Sequence, residues 1–243
     1  MPPLRRRRQS RLGAVWLRCG DLRLSDNPAL HEAASACDEV LLCFCWCPWE
    51  EGKPGGPGSE GLRQDWSLEG TALQLLMAEA LQGLAARVRE EYGNRLLILG
   101  QDPAAPGTVA PGAAELLLEA LEARRQHRRV AAQGEEEEDD EVEAAVYWNR
   151  RAEPWERRRE VDLERRAASR GVAARPQAGF LFRAPEACPI FEAVGRGQHI
   201  FKAFWEGWHK GGAIREAVPA PKACPGPAAS DLEGLLRALP GRE

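Results

Sequence analysis

Trp16-Leu17-Arg18-Cys19-Gly20-Asp21-Leu22-Arg23-Leu24-Ser25-Asp26-Asn27-Pro28 carries two arginines and two aspartates between an apolar strand end and an Asn-Pro pair. Asn is a favoured helix cap and Pro is pre-set for the first helical turn, so the stretch reads as a strand-to-helix turn. Upstream, Ala14 to Leu17 forms a short buried strand; downstream, the helix extends to about Ala36. Glu39 to Trp46 (EVLLCFCW) is a continuous apolar run, the pattern of a central strand covered on both faces. Residues 50–64, rich in Gly and Pro, predict a surface loop. The spacing of Leu68, Ala72, Leu75, Leu76, Leu81, Leu84 and Val88 predicts a helix over 65–92 that Gly93-Asn94 ends.

Leu96 to Leu99 reads as the third strand, with a turn at Gly100 to Pro103 and a helix over about 112–130. Gly134 to Glu143 (GEEEEDDEVE) is a run of like charge, which predicts a solvated insertion before the fourth strand, Ala144 to Trp148. Glu153-Pro154 opens a helix to about Ser169, Gly171 terminates it, and a fifth strand covers Val172 to Arg175. This alternation predicts a doubly wound, Rossmann-like α/β fold: a five-stranded parallel sheet with helices on both faces, plus a C-terminal helix and tail. Such sheets bind ligands beyond the carboxyl ends of their strands. That places the candidate pocket on Arg18 to Arg23, Trp46 to Pro48, Gly100 to Asp102 and Trp148 to Arg151. The one G-x-G-x-x-G match, Gly56 to Gly61, falls in the Gly/Pro-rich loop rather than at a strand-to-helix turn, and the sequence has no Walker motif, so a dinucleotide or P-loop nucleotide site has little support.

The chain of 243 residues is long enough to bury one full core. The predicted organisation is a basic, disordered extension over 1–12, an α/β domain over 13–215, and a Pro/Gly-rich tail over 216–243 with a short helix at Ser230 to Ala238. Arg5 to Arg8 and Arg11 suit a nuclear signal, the start of an organellar transit peptide or a plain basic tail. Cytoplasm, nucleus and plastid are therefore not distinguished. Cysteines at 19, 37, 43, 45, 47, 188 and 224 form no regular framework, which reads as reduced, intracellular thiols. The net charge of -4 argues against direct nucleic-acid binding, which needs a clustered basic face. No apolar run approaches the ~18 residues of a membrane span.

The opening stretch resembles the signature W-F-R-x-D-L-R-L-x-D-N of the photolyase/cryptochrome family. Ala145 to Arg151 with Glu153-Pro154 is similar to that family's V-Y-W-N-x-x-x-E-P, and Gly197 to Trp208 is similar to its G-x-x-Y-x-V-F-T-P-F-W-x-x-W. Val40 to Trp46 stands where the family's second strand belongs, so the resemblance spans about residues 12 to 210. Two departures are visible: Cys19-Gly20 separates Arg18 from Asp21 where the family has one residue, and Ala203 stands where its Thr-Pro falls. The first departure implies a bulged first turn.

The resemblance implies the family's N-terminal α/β, antenna-chromophore domain, with a role in light harvesting for DNA repair or blue-light sensing. In that family a C-terminal helical domain holds the FAD, the electron-transfer tryptophans and the DNA groove, so FAD is not expected in this chain alone. The expected function is a stand-alone or truncated domain, non-catalytic by itself, that carries an antenna chromophore or serves as an interaction module. One alternative is the N-terminal fragment of a full flavin-dependent DNA photolyase or cryptochrome photoreceptor; another is a nucleotide-binding α/β domain. A deazaflavin- or flavin-type antenna, held at the strand ends, is expected before a folate antenna, which sits between the two domains. Its candidate ligands are Arg18, Asp21, Arg23, Trp46, Cys47, Gln101, Trp148 and Asn149, with no catalytic residue and no metal site. A flavin domain or another protein is the expected partner, through a helix over Phe201 to Trp208 whose Phe201, Phe204, Trp205 and Trp208 share one face.

Three constellations have competing readings. Cys43, Cys45 and Cys47 alternate along a strand, which suits small core residues better than a metal or redox site lacking further ligands. Arg18, Asp21, Arg23 and Asp26 suit either a ligand phosphate or a mutually satisfied ion network, and the network is favoured because buried charge must be paired. Arg157, Arg158, Arg159, Arg165 and Arg166 interleaved with Glu156, Glu160 and Glu164 read as an ion-paired solvent face.

Overall fold

Strands β1 (Ser10–Leu17), β2 (Glu39–Cys45), β3 (Leu96–Leu99), β4 (Val142–Asn149) and β5 (Ala173–Gln177) pair in parallel in the order β3-β2-β1-β4-β5. Helices α1 (Pro28–Ala36), α2 (Ala72–Tyr92), α3 (Ala113–Ala132) and α4 (Pro154–Ser169) make the crossovers. The computed structural model describes residues 10–47, 72–100, 112–132, 142–151, 153–179, 205, 215–228 and 231. Every residue of β2 is buried, as a central strand sandwiched between helical layers requires.

Period-two alternation divides the core. Leu12, Ala14 and Trp16 of β1, Leu41, Cys43 and Cys45 of β2, and Val146 and Trp148 of β4 pack with Leu117 and Leu121 of α3 and Leu163 and Ala167 of α4. On the other face, Val15, Leu17, Val40, Leu42 and Tyr147 pack with Leu30 and Ala33 of α1 and Leu84 and Val88 of α2. Cys43, Cys45 and Cys47 all lie in the first of these layers, and burial pushes the Cys43 thiol up to about 12. A thiol so raised is a small hydrophobe at neutral pH. Gly93 and Gly171, both at φ 64, follow α2 and α4 in the left-handed conformation that ends a helix without Cβ strain.

Several boundaries differ from the sequence expectation. β1 starts at Ser10, inside the stretch expected to be disordered, because Leu12 is buried and Ser10, Arg11 and Leu12 pair with Val142, Glu143 and Ala144. β4 accordingly begins at Val142 and takes in the last two residues of the expected insertion; Arg11 Nε meets Glu143 at 3.3 Å. β5 is displaced to Ala173–Gln177, with Val172 buried just before it. Residues 215–228, expected as the domain end and a tail, pack onto the sheet and α1, and Cys224 is buried. Residues 65–71, Gln101, most of the acidic run, and the Phe201 to Trp208 segment apart from an exposed Trp205 lie outside the described residues. Among the described residues no helix is long and apolar enough to cross a membrane.

Gly13 sits where β1 passes α1, and a Cβ there would lie 2.8 Å from Cys37 Sγ and 3.4 Å from the Tyr147 ring. Gly13→Ala is expected to lower the unfolding free energy by ~1–3 kcal/mol through overpacking. The loss should shrink in a Cys37→Ala background; urea unfolding of the four chains of this double-mutant cycle checks it.

Candidate functional site

The strand order reverses between β1 and β4, so the crevice that a doubly wound sheet offers a ligand lies beyond Leu17 and Asn149. The chain leaving β1 folds into a turn closed by the Asp21 amide donating to the Arg18 carbonyl at 2.8 Å. This turn absorbs the extra residue between Arg18 and Asp21. Arg23 pins it from outside, donating to the Gly20 carbonyl and the Asp26 carbonyl, each at 2.9 Å.

Arg18 is fully buried and is held by α4. Its Nη1 meets Glu156 at 2.9 Å, and its Nη2 meets Glu160 at 3.0 Å and also the Asn149 carbonyl. Glu160, itself wholly buried, further accepts from the Arg151 amide at 2.8 Å and from Arg157. Trp16 takes two guanidinium contacts, Arg18 at 4.7 Å and Arg159 at 5.3 Å from the ring centroid. Such contacts are favourable where the cations are desolvated. The expectation of a solvent face for Glu156 and Glu160 is therefore corrected: both turn inward. Glu156, Glu160, Leu163 and Ala167 follow one another at the spacing of a single helix stripe, and Leu163 and Ala167 are core residues.

Asn149 ends β4 and is spent on α1. Its Oδ1 accepts from the Ala29 amide at 3.1 Å, and its Nδ2 donates at 2.8 Å to Asn27 Oδ1. Asn27 Oδ1 also accepts from the Leu30 amide at 3.2 Å as the helix cap. Two asparagines from distant parts of the chain thus satisfy the first amides of one helix.

Asp21 has a different environment. Its side chain is fully buried, its nearest cation is Arg151 Nη1 at 3.6 Å, and among the described residues neither carboxylate oxygen has a hydrogen-bond donor in bonding geometry. Burial pushes its pKa above the usual carboxylate range, partly offset by Arg18, Arg151, Arg23 and the nearby Asn149 amide. A buried acceptor without a donor is costly to stability.

The remaining candidates divide between the layers. Trp46, half-buried at the end of β2, donates its amide to the Leu99 carbonyl at 2.6 Å and packs on Phe44 with ring centroids 6.4 Å apart. Trp46 shares the small Phe44, Met77 and Leu81 cluster with Leu22 of the first turn. Cys47 and Trp148 are buried in the opposite layer, facing α3 and α4. The structure thus brings Arg18, Asp21, Arg23 and Asn149 together, packs Trp46 on a small cluster that Leu22 of the first turn also meets, and keeps Cys47 and Trp148 in the core.

A doubly wound α/β domain with a buried arginine network at its switch point is the class this architecture defines. The family model for DNA photolyase matches residues 14–144. That is more than half of the chain, and the protein belongs to the DNA photolyase family.

Solved structures share the fold. A bacterial class III photolyase from Agrobacterium tumefaciens matches at 20% identity and a TM-score of 0.59, over 93% of this chain and 37% of its own. A cryptochrome from Synechocystis matches at 18% identity and a TM-score of 0.61, over 92% of this chain and 41% of its own. An archaeal photolyase from Sulfolobus tokodaii, described with two FAD molecules and the implication of a novel light-harvesting cofactor, matches at 17% identity and a TM-score of 0.53. It is covered over 41% of its length and this chain over 94%. The chain therefore spans about two fifths of the length of these structures. Comparison with curated protein sequences gives no significant match.

Two substitutions test the network. Glu160→Ala removes one of the two carboxylates on the buried Arg18 and leaves Glu156 at 2.9 Å, so it is expected to cost about 1–3 kcal/mol in urea unfolding. Asp21 binds its proton more tightly in the folded than in the unfolded chain, so its contribution is fully favourable below the unfolded value and is lost as pH rises through the folded one. Asp21→Asn should therefore stabilise the protein at pH 7, with the advantage disappearing as the urea midpoint is followed towards pH 4.

Proposed function

We propose that this chain is the antenna-chromophore domain of a photolyase or cryptochrome system, non-catalytic by itself, and that it takes a deazaflavin- or flavin-type chromophore at the first turn. The observation that carries this reading is the Asp21 carboxylate, buried at the switch point with no hydrogen-bond donor among the described residues. A planar heteroaromatic ring needs an apolar or aromatic wall and a few polar groups to orient it. Trp46 supplies the wall, Asp21 an acceptor for a ring N–H, and Arg23, a third exposed, a cation at the rim. Arg18 and Asn149 act one step back: paired to α4 and α1, they set where the first turn lies.

Bound there, such a chromophore would absorb near-ultraviolet or blue light and pass its excitation to a redox flavin elsewhere. The Sulfolobus photolyase, described with two FAD molecules and the implication of a novel light-harvesting cofactor, supports a flavin in this role. The redox flavin and any DNA groove are assigned to a partner flavin domain, either on another protein meeting the segment Phe201 to Trp208 or on the same polypeptide.

The second assignment is favoured by one observation, that the chain covers only 37–41% of three photolyase and cryptochrome structures. Under it, the natural product is a full flavin photoenzyme. Intact mass of the endogenous protein separates the two: a mass near 26.8 kDa supports a free domain, and a mass about twice that supports a photoenzyme.

Fluorescence titration of the purified chain with FAD and with 8-hydroxy-5-deazaflavin tests the chromophore. Saturable binding of one of them is expected, weakened about tenfold by Trp46→Ala through the loss of apolar contact. Absence of binding by both would sink the antenna reading.

A further inference from the structure

Residues 215–228 cross the sheet beside α1, held at two ends. At the first, the Asp26 amide donates to the Val218 carbonyl at 2.6 Å, and the Val218 amide donates back to Asp26 Oδ1 at 3.3 Å. Arg215 Nη1 meets the same carboxylate at 2.8 Å and Arg23 Nη2 approaches its other oxygen at 3.7 Å. Both arginines also reach the Gly179 carbonyl, at 3.2 Å from Arg23 and 3.4 Å from Arg215. Gly179, just after β5, and Arg215 thus meet at one clasp. Asp26 adopts φ 50 to make these contacts, a left-handed conformation that a non-glycine residue holds only when its surroundings over-determine it.

At the second end, the Val40 amide donates to the Pro225 carbonyl at 2.7 Å, beyond the reach of β3. Asn94 Nδ2 spans the Cys224 carbonyl and the Val40 carbonyl, both at 3.1 Å. Gly226 is packed so closely on the Asn94 amide that a Cβ would collide with it. Cys224 is 1% exposed beneath this end, and burial lifts its thiol to about 11.

Between the ends lie Pro219 and Pro221, with Pro225 and Pro227 following, so the connection is stiff. Seven extended steps from Val218 to Pro225 span about 22 Å. A stiff connection held at both ends passes release at one end on to the other.

We propose that residues 215–228 are a two-ended strap latched by Asp26, and that loss of the latch loosens the whole strap, frees the first turn and uncovers the Cys224 thiol. The strap operates whether or not a chromophore binds. Because Arg23 holds both Asp26 and the Gly20 carbonyl, the latch and the turn that carries Asp21 open and close together.

The test uses the full chain with Asp26→Gly, which keeps the left-handed backbone and removes the carboxylate, and separately with Arg215→Ala, which leaves the first turn's residues intact. Alkylation by N-ethylmaleimide is followed at Cys224 and at Cys43, buried in the central strand, by peptide mass spectrometry. Amide hydrogen exchange is followed at Val218 and Asp21. Both variants should raise the Cys224 rate about tenfold, speed exchange at Val218 and Asp21, and leave Cys43 protected. If Asp26→Gly fails to fold, Arg215→Ala decides. An unchanged Cys224 rate, or Cys43 reacting in step with Cys224, overturns the proposal.

Discussion

A guanidinium buried beyond the end of a parallel strand is the constraint on which the rest of this structure depends. Arg18 leaves β1 into the crevice between β1 and β4, where an unpaired charge would be prohibitive. Its partners come from α4 and from the end of β4: Glu156, Glu160 and the Asn149 carbonyl. Meeting that demand fixes the orientation of α4, because the stripe that carries Glu156 and Glu160 continues into Leu163 and Ala167. Apolar packing and ion pairing therefore act through one helix face, and neither can be satisfied with α4 rotated.

The amino end of the sheet is held by a second buried arginine. Arg124 of α3 forks onto Glu39 at the start of β2, with contacts of 2.5 and 2.8 Å, and also reaches Asp231 at 2.9 Å. A fork onto a carboxylate sets both distance and plane, so it registers a helix against a strand more tightly than apolar contact alone. Buried pairs of this kind add little net stability over an apolar core but are severe when half removed. They act as alignment devices at the two ends of a sheet whose cohesion comes from its apolar layers.

How much of this was legible depended on whether the signal was local. The EVLLCFCW run gave β2 because a strand buried on both faces must be apolar throughout, and Asn27-Pro28, Gly93 and Gly171 marked helix ends by capping chemistry that needs no distant partner. Ser10 to Leu12 and Val142 with Glu143 were misread because a basic and an acidic stretch each look solvated alone, yet they neutralise one another across neighbouring strands. Arg18 and Asp21 stood out in the sequence, but of the mutually satisfied network read there only Arg23 and Asp26 pair; Arg18 is paired by α4, whose carboxylates lie far along the chain. Glu156 and Glu160 were hidden among many charges; only their helical spacing with Leu163 and Ala167 pointed inward. The contact between Asp26 and residues 215–218 had no local signature, since its two halves are separated by most of the chain.

The placement of the one poorly satisfied charge follows from the same geometry. Arg18 and Asn149 are consumed in joining β1 and β4 to α4 and α1, which leaves Asp21, in the turn beyond, with Arg151 at 3.6 Å and the Asn149 amide nearby but neither oxygen bonded in good geometry among the described residues. A fold indifferent to function would gain by an uncharged isostere there, because desolvation outweighs the attraction of three arginines. A carboxylate whose burial outweighs its charge partners lowers the stability of the fold at neutral pH. Arg23, tied at once to the Gly20, Asp26 and Gly179 carbonyls, holds the turn that carries Asp21 against the rest of the fold. The bonds that fix this turn are made by its neighbours and not by the carboxylate, so the turn is positioned without drawing on Asp21.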